Sequence, residues 1–101
     1  MPVVQERKTK QRFAVLQVLA SNENLHGFEV CRKTGLSSGT VYPMLLRMEW
    51  SGDVESEWEE VEPSEVERPR RRYYTLTPRG WSMLREYEAH FGDGEGQLAW
   101  R

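Results

Sequence analysis

The 101-residue sequence predicts a mainly α-helical domain carrying one small β-hairpin. Three observations predict it. Apolar residues recur at helical spacing around Leu16, Met44 and Leu84; the period drops to two over residues 54–58 and again over 71–76; and the stretch between those alternations is acidic and holds two prolines. With 38% apolar side chains, the chain is sized for one compact core.

The first helix is expected over residues 10–20, where Phe13, Val15, Leu16, Val18, Leu19 and Ala20 form a broad apolar arc. Ser21, Asn22, Glu23 and Asn24 stop it, because short polar side chains compete for backbone hydrogen bonds. A short second helix over 27–34 closes at Gly35, which tolerates the left-handed cap. Ser37 and Ser38 offer N-cap oxygens to a third helix running to about Ser51, with Gly52 as its stop. Pro43 is cheapest within a first turn, so the start of that helix stays open between Ser38 and Thr40. Val41, Met44, Leu45 and Met48 face inward by spacing, leaving Thr40, Tyr42, Pro43, Leu46 and Arg47 outside.

Beyond Gly52, Val54, Ser56 and Trp58 alternate with glutamates, as in a strand with one wet face. Arg72, Tyr74 and Leu76 repeat the alternation as its antiparallel partner, across a loop too long for a tight turn. Thr77-Pro78 then opens a last helix, with threonine as N-cap and proline where a missing amide costs nothing. Trp81, Leu84, Tyr87 and Phe91 line one side of it, and Gly92 ends it. Residues 1–9 are expected to be a flexible lead, 10–92 the domain, and 93–101 a flexible tail.

Helix, short helix, turn, helix, hairpin, helix is the order of a winged helix-turn-helix with flanking N- and C-terminal helices. In that fold the third helix enters the major groove of DNA and the hairpin, or wing, lies along the backbone. The charge pattern suits it despite a net charge of −2. Residues 1–50 hold seven Lys/Arg against four acids, 51–67 hold eight acids and no base, and 68–76 hold four arginines and no acid. Candidate DNA contacts are therefore Ser38, Thr40, Tyr42, Pro43 and Arg47 on the third helix, and Arg68, Arg70, Arg71 and Arg72 on the wing. Two readings of the arginine run stand side by side: contact with phosphates and a narrow minor groove, or neutralisation of the hairpin's own glutamates. Lys10, Arg12, Arg32 and Lys33 are weaker candidates for phosphate contact.

Enzyme chemistry is poorly provided for, and no metal or cofactor is expected. His26 and His90 are the only histidines, Cys31 has no second cysteine, and no glycine-rich phosphate loop follows a strand. A single cysteine excludes an intrachain disulfide and fits the cytoplasm. No run of eighteen apolar residues predicts a membrane span.

Several blocks in order resemble the PadR family of transcription regulators. They are Leu25-His26-Gly27-Phe28-Glu29-Val30, Leu36-Ser37-Ser38-Gly39-Thr40-Val41-Tyr42-Pro43-Met44-Leu45, Arg47-Met48-Glu49, Val54-Glu55-Ser56-Glu57-Trp58, and Arg72-Tyr73-Tyr74-Thr75-Leu76-Thr77-Pro78-Arg79-Gly80. The resemblance implies a dimeric repressor that binds a palindromic operator on double-stranded DNA through the third helix and wing. It also implies a dimer made by the first and last helices, with Phe13, Leu16, Leu84, Tyr87 and Phe91 as interface residues. Compact members of the family sense flat aromatic compounds at that interface, which brings in a small aromatic effector bound near Trp81, Tyr87, Phe91 and Trp100. The second helix is briefer than in many members, the last helix is short, and Trp50 departs from the pattern. Trp50 is expected to pack on the wing or on a partner, or to stand exposed. The alternatives to a DNA-binding repressor are a winged helix that binds protein, and a phage-type control protein without ligand sensing.

Overall fold

A computed structural model describes residues 7–92. The elements are α1 (Lys10–Ser21), β1 (Leu25–His26), α2 (Gly27–Thr34), α3 (Ser38–Trp50), β2 (Val54–Trp58), α4 (Pro63–Val66), β3 (Arg72–Leu76) and α5 (Pro78–Phe91). The mainly helical winged helix-turn-helix is thus present, and its helices begin and end for local reasons. Thr9 caps α1 by accepting from the Arg12 amide at 3.1 Å, and Thr77 caps α5 by accepting from Gly80 at 3.0 Å. α2 closes at Gly35, whose φ of 76° lets its amide reach the Cys31 carbonyl at 2.8 Å. α3 begins at Ser38, so Pro43 lies inside the helix rather than in its first turn. Having no amide, Pro43 cannot bond back to the Gly39 carbonyl one turn earlier.

The expected hairpin is part of a three-stranded antiparallel sheet in the order β1-β3-β2. Asn24, at a φ of 53°, turns the chain after α1 so that Leu25 pairs with Tyr74 and His26 with Tyr73. In the wing, Val54 pairs with Leu76 and Trp58 with Arg72, and Glu59 extends the ladder by donating to the Arg71 carbonyl at 2.8 Å. The long wing loop contains one turn of helix, α4, started by Pro63 at its first position and ended by Glu67 in the left-handed region.

The core joins Phe13, Val15, Leu16 and Leu19 of α1 to Val30, to the inner face of α3, to Val54, Tyr74 and Leu76 of the sheet, and to Leu84 and Tyr87 of α5. Phe13 stacks on Phe91 at 5.4 Å and tilts against Tyr87 at 6.0 Å, which fastens α1 to α5 within one chain. A second joint ties the end of α3 to the start of α5. Buried Asp53 accepts from Arg79 Nε at 3.1 Å, its carbonyl accepts from the Thr77 amide at 3.0 Å, and Gly80 packs so close to that carbonyl that a side chain has no room.

Candidate nucleic-acid interface

The third helix carries its chemistry as the spacing predicts. Val41, Met44, Leu45 and Met48 are buried, while Ser38, Tyr42, Pro43, Leu46 and Arg47 are exposed and Thr40 is half-buried with its hydroxyl accepting from Ser37 Oγ at 3.2 Å. The Arg47 guanidinium makes no hydrogen bond or ion pair with any described residue. Tyr42 lies over Gly27 at the start of α2, and a methyl group at Gly27 would collide with the phenol ring. The glycine therefore leaves room for the Tyr42 ring and sets where it points.

A brace holds α3 against the wing. Ser56 Oγ donates to Glu49 Oε2 at 2.6 Å and accepts from Arg72 Nε at 2.7 Å, and Arg72 also donates to Glu49 at 3.1 Å. The same guanidinium lies 5.1 Å from the centre of the Trp58 ring, its cross-strand partner. Glu49, Ser56 and Trp58 are not among the expected site residues; alternation places Ser56 and Trp58 on one face of their strand, but no signal in the sequence brings Glu49 or Arg72 to that face.

The four wing arginines divide. Arg68 forms a fork with Glu59, at 2.7 and 3.0 Å, and this pairing is the first reason the Glu59 carboxyl is pulled down to about 2. Arg70 donates to the Val61 carbonyl at 2.7 Å and lies 3.9 Å from Glu62. Arg72 belongs to the brace. Only the Arg71 guanidinium has no hydrogen-bonding or ion-pair partner among the described residues, although the Arg71 amide donates to Glu59.

Between α2, α3 and the wing opens a cleft of about 520 Å³ lined by Phe28, Tyr42, Trp58, Arg70 and Arg71 among others. His26 forms part of its wall. Burial, chiefly, pushes the imidazole below its ordinary value; Arg71 and Arg68 add to the shift and Glu29 opposes it. His26 is thus neutral near pH 7 and adds no positive charge to the cleft.

Several expected residues sit elsewhere. Phe13 and Leu16 are fully buried, and Leu84 and Tyr87 nearly so, all inside the chain's own core. They back the α1–α5 surface and are not themselves on it, because the broad apolar arc of α1 meets neighbours in the same chain. Phe91 is half-buried against Phe13, and Trp81 is 43% exposed on α5. Trp50 is 76% exposed and so does not pack on the wing. Trp100 lies outside the described residues. Among the described residues no group of three His, Cys, Asp or Glu side chains is placed to hold a metal ion, and no helix is long and apolar enough to cross a membrane.

An exposed helix face braced to a β-wing defines a winged helix-turn-helix domain. The family described as the transcriptional regulator PadR-like family matches residues 15–86, and the chain belongs to it. Among solved structures, a PadR family regulator from Eggerthella lenta DSM 2243 is 29% identical, with 89% of this chain and 84% of that one covered and a TM-score of 0.65. A PadR family regulator from hypervirulent Clostridium difficile R20291 is 24% identical, with 82% and 88% covered and a TM-score of 0.69. The repressor CouR, solved on a 23-mer DNA duplex, shares the fold at 19% identity and a TM-score of 0.67, with 82% of this chain and 54% of that one covered. No curated protein shows significant sequence similarity to the chain.

Proposed function

We propose that the chain is a sequence-specific repressor that binds a palindromic operator on double-stranded DNA as a homodimer in the cytoplasm. α3 enters the major groove, with Tyr42 and Arg47 reaching base edges and Ser38, Thr40 and Pro43 at the entering end. The wing follows the adjacent backbone. The observation that carries the reading is the position of the uncommitted cations: Arg47 on the helix and Arg71 in the cleft have no partner among the described residues, while the wing's other arginines are engaged by acids or a carbonyl. Arg71 is thus the principal phosphate contact of the wing. Arg70, held by one carbonyl and a distant carboxylate, is the second. Arg68 and Arg72 support the DNA contacts from behind. CouR, a protein of the same fold, was solved on a DNA duplex, which supports double-stranded DNA as the partner.

The dimer forms through the α1–α5 side of the molecule, with Trp81 and Phe91 as its accessible aromatics. Trp81 is the described aromatic best exposed to meet a small planar effector there.

The test is a gel-shift titration with random duplexes and with duplexes from upstream of genes in the source genome, over a salt series. A DNA regulator shows tighter binding to some upstream duplexes and an affinity that falls steeply with salt. Absence of any shift at moderate salt makes the chain a protein-interaction module instead. A clean monomer by sedimentation at micromolar concentration removes the two-half-site arrangement.

A further inference from the structure

Counting around α3 at 3.6 residues per turn, the line opposite the buried Val41, Met44, Leu45 and Met48 runs through Gly39, Pro43, Leu46 and Trp50. This is the leading ridge of the helix, and its side chains carry no charge. The Trp50 indole N–H is their one hydrogen-bonding group. Leu46 is 47% exposed and Trp50 76%. Tyr42, which lines the wing cleft with Arg71, and Arg47 flank this ridge on opposite sides, and the Arg47 and Arg71 guanidiniums have no hydrogen-bond or ion-pair partner among the described residues. The surface is therefore apolar along its crest and cationic at its borders.

That combination fits one feature of a DNA major groove. The groove is walled by phosphates, and its floor presents donors and acceptors at every base pair but only one apolar group, the C5 methyl of thymine. We infer that Leu46 reads a thymine in each half-site by packing against that methyl, with Trp50 extending the apolar cover on the same line. The inference rests on the DNA-binding reading and adds a base preference to it. Arg47 and Tyr42, on the flanks, then supply the hydrogen-bonded part of recognition.

The test uses the full chain and two random-sequence duplex libraries, one made with thymine and one with uracil, which differ only in that methyl. After selection, each thymine of the enriched site is replaced singly by uracil. One thymine per half-site is expected to lose about fourfold in affinity, the worth of one buried methyl-sized group, while the others tolerate the change. Leu46→Gln, at an exposed position that leaves the core intact, is expected to bind thymine and uracil equally there and to keep the wild-type salt dependence. Circular dichroism matching the wild type confirms that the variant is folded.

If a site is enriched and no single uracil lowers affinity, or if Leu46→Gln keeps the penalty, the inference fails and the DNA-binding reading survives. If neither library yields an enriched site, both fail, and the ridge belongs to a protein contact.

Discussion

Arg72 and Arg71 are adjacent arginines with different surroundings, and replacing each with alanine separates support from contact. Arg72 donates to Ser56 at 2.7 Å and to Glu49 at 3.1 Å and covers the Trp58 ring at 5.1 Å. A partly exposed ion pair is worth about 0.5–1 kcal/mol, a hydrogen bond to a hydroxyl about 1 kcal/mol, and a cation over an exposed indole about 0.5–1 kcal/mol. These share one side chain and are not additive, so Arg72→Ala is expected to cost roughly 1–2 kcal/mol in urea unfolding. Its loss frees the wing from α3 and weakens DNA binding on every sequence. It leaves every phosphate still neutralised, so the slope of log affinity against log salt stays at the wild-type value. Arg71→Ala reverses the pattern, with unfolding within about 0.5 kcal/mol of wild type and a slope shallower by about 0.9 for each phosphate that the missing guanidinium no longer neutralises. A Glu49→Gln, Arg72→Gln double-mutant cycle on stability is expected to show coupling, since the two groups share a network. If Arg72→Ala flattens the salt slope as much as Arg71→Ala does, Arg72 touches phosphate and the brace is not its role.

Three further outcomes follow from the geometry. Gly27→Ala is expected to leave the unfolding midpoint nearly unchanged, because the far end of the Tyr42 side chain can swing away, yet to lower operator preference; gel shifts on specific and random duplexes check this. Gly80→Ala meets the Asp53 backbone and, at 2.9 Å, Leu76 Cδ2, neither free to leave, so it is expected to cost about 1–3 kcal/mol or more in urea unfolding. The Glu59 carboxyl is held at about 2 in the fold against an ordinary 4.5, so the folded state binds that proton less readily than the unfolded chain does. Its contribution is complete above pH 4.5 and falls away as pH drops toward 2; Glu59→Gln is expected to flatten stability over that window, measured by thermal unfolding across pH.

The helices are legible in the sequence because each carries both a period and a punctuation mark: Thr77-Pro78 before α5, Gly35 after α2, Gly52 after α3. β1 is not legible, since two residues cannot display an alternation. Leu25 and His26 become a strand only because Asn24 delivers them to the free edge of β3. α4 is one turn long and has no periodicity to read. The outward face of α3 is legible in full, whereas the partners of the arginines are not. Composition shows four arginines and many glutamates, but which pairs meet depends on the strand register and on how the wing loop folds back to bring Glu59 to Arg68. The same limit applies to Phe13 and Leu16. A broad apolar arc on α1 reads equally as core or as interface, and here α2, β3 and α5 of the same chain cover it.

A chain with a net charge of −2 that belongs to a family of transcription regulators needs its charges sorted in space, and the wing does the sorting. Ser56 and Trp58 face the α3 side, where Arg72 and Glu49 neutralise each other; by strand alternation Glu55 and Glu57 face the other way. Glu59 and Glu62 pair with Arg68 and Arg70. In the proposed complex the cations left to meet a duplex are Arg71 in the cleft and Arg47 on the far flank of α3, and the acids across the sheet act through solvent that screens charge within about 8 Å at physiological salt. Local pairing, not the sum over the chain, sets the field at this face. The acids also limit it: Arg68, Arg70 and Arg72 are committed within the wing, so the proposed operator reading leaves discrimination among sequences to the side chains on the face of α3.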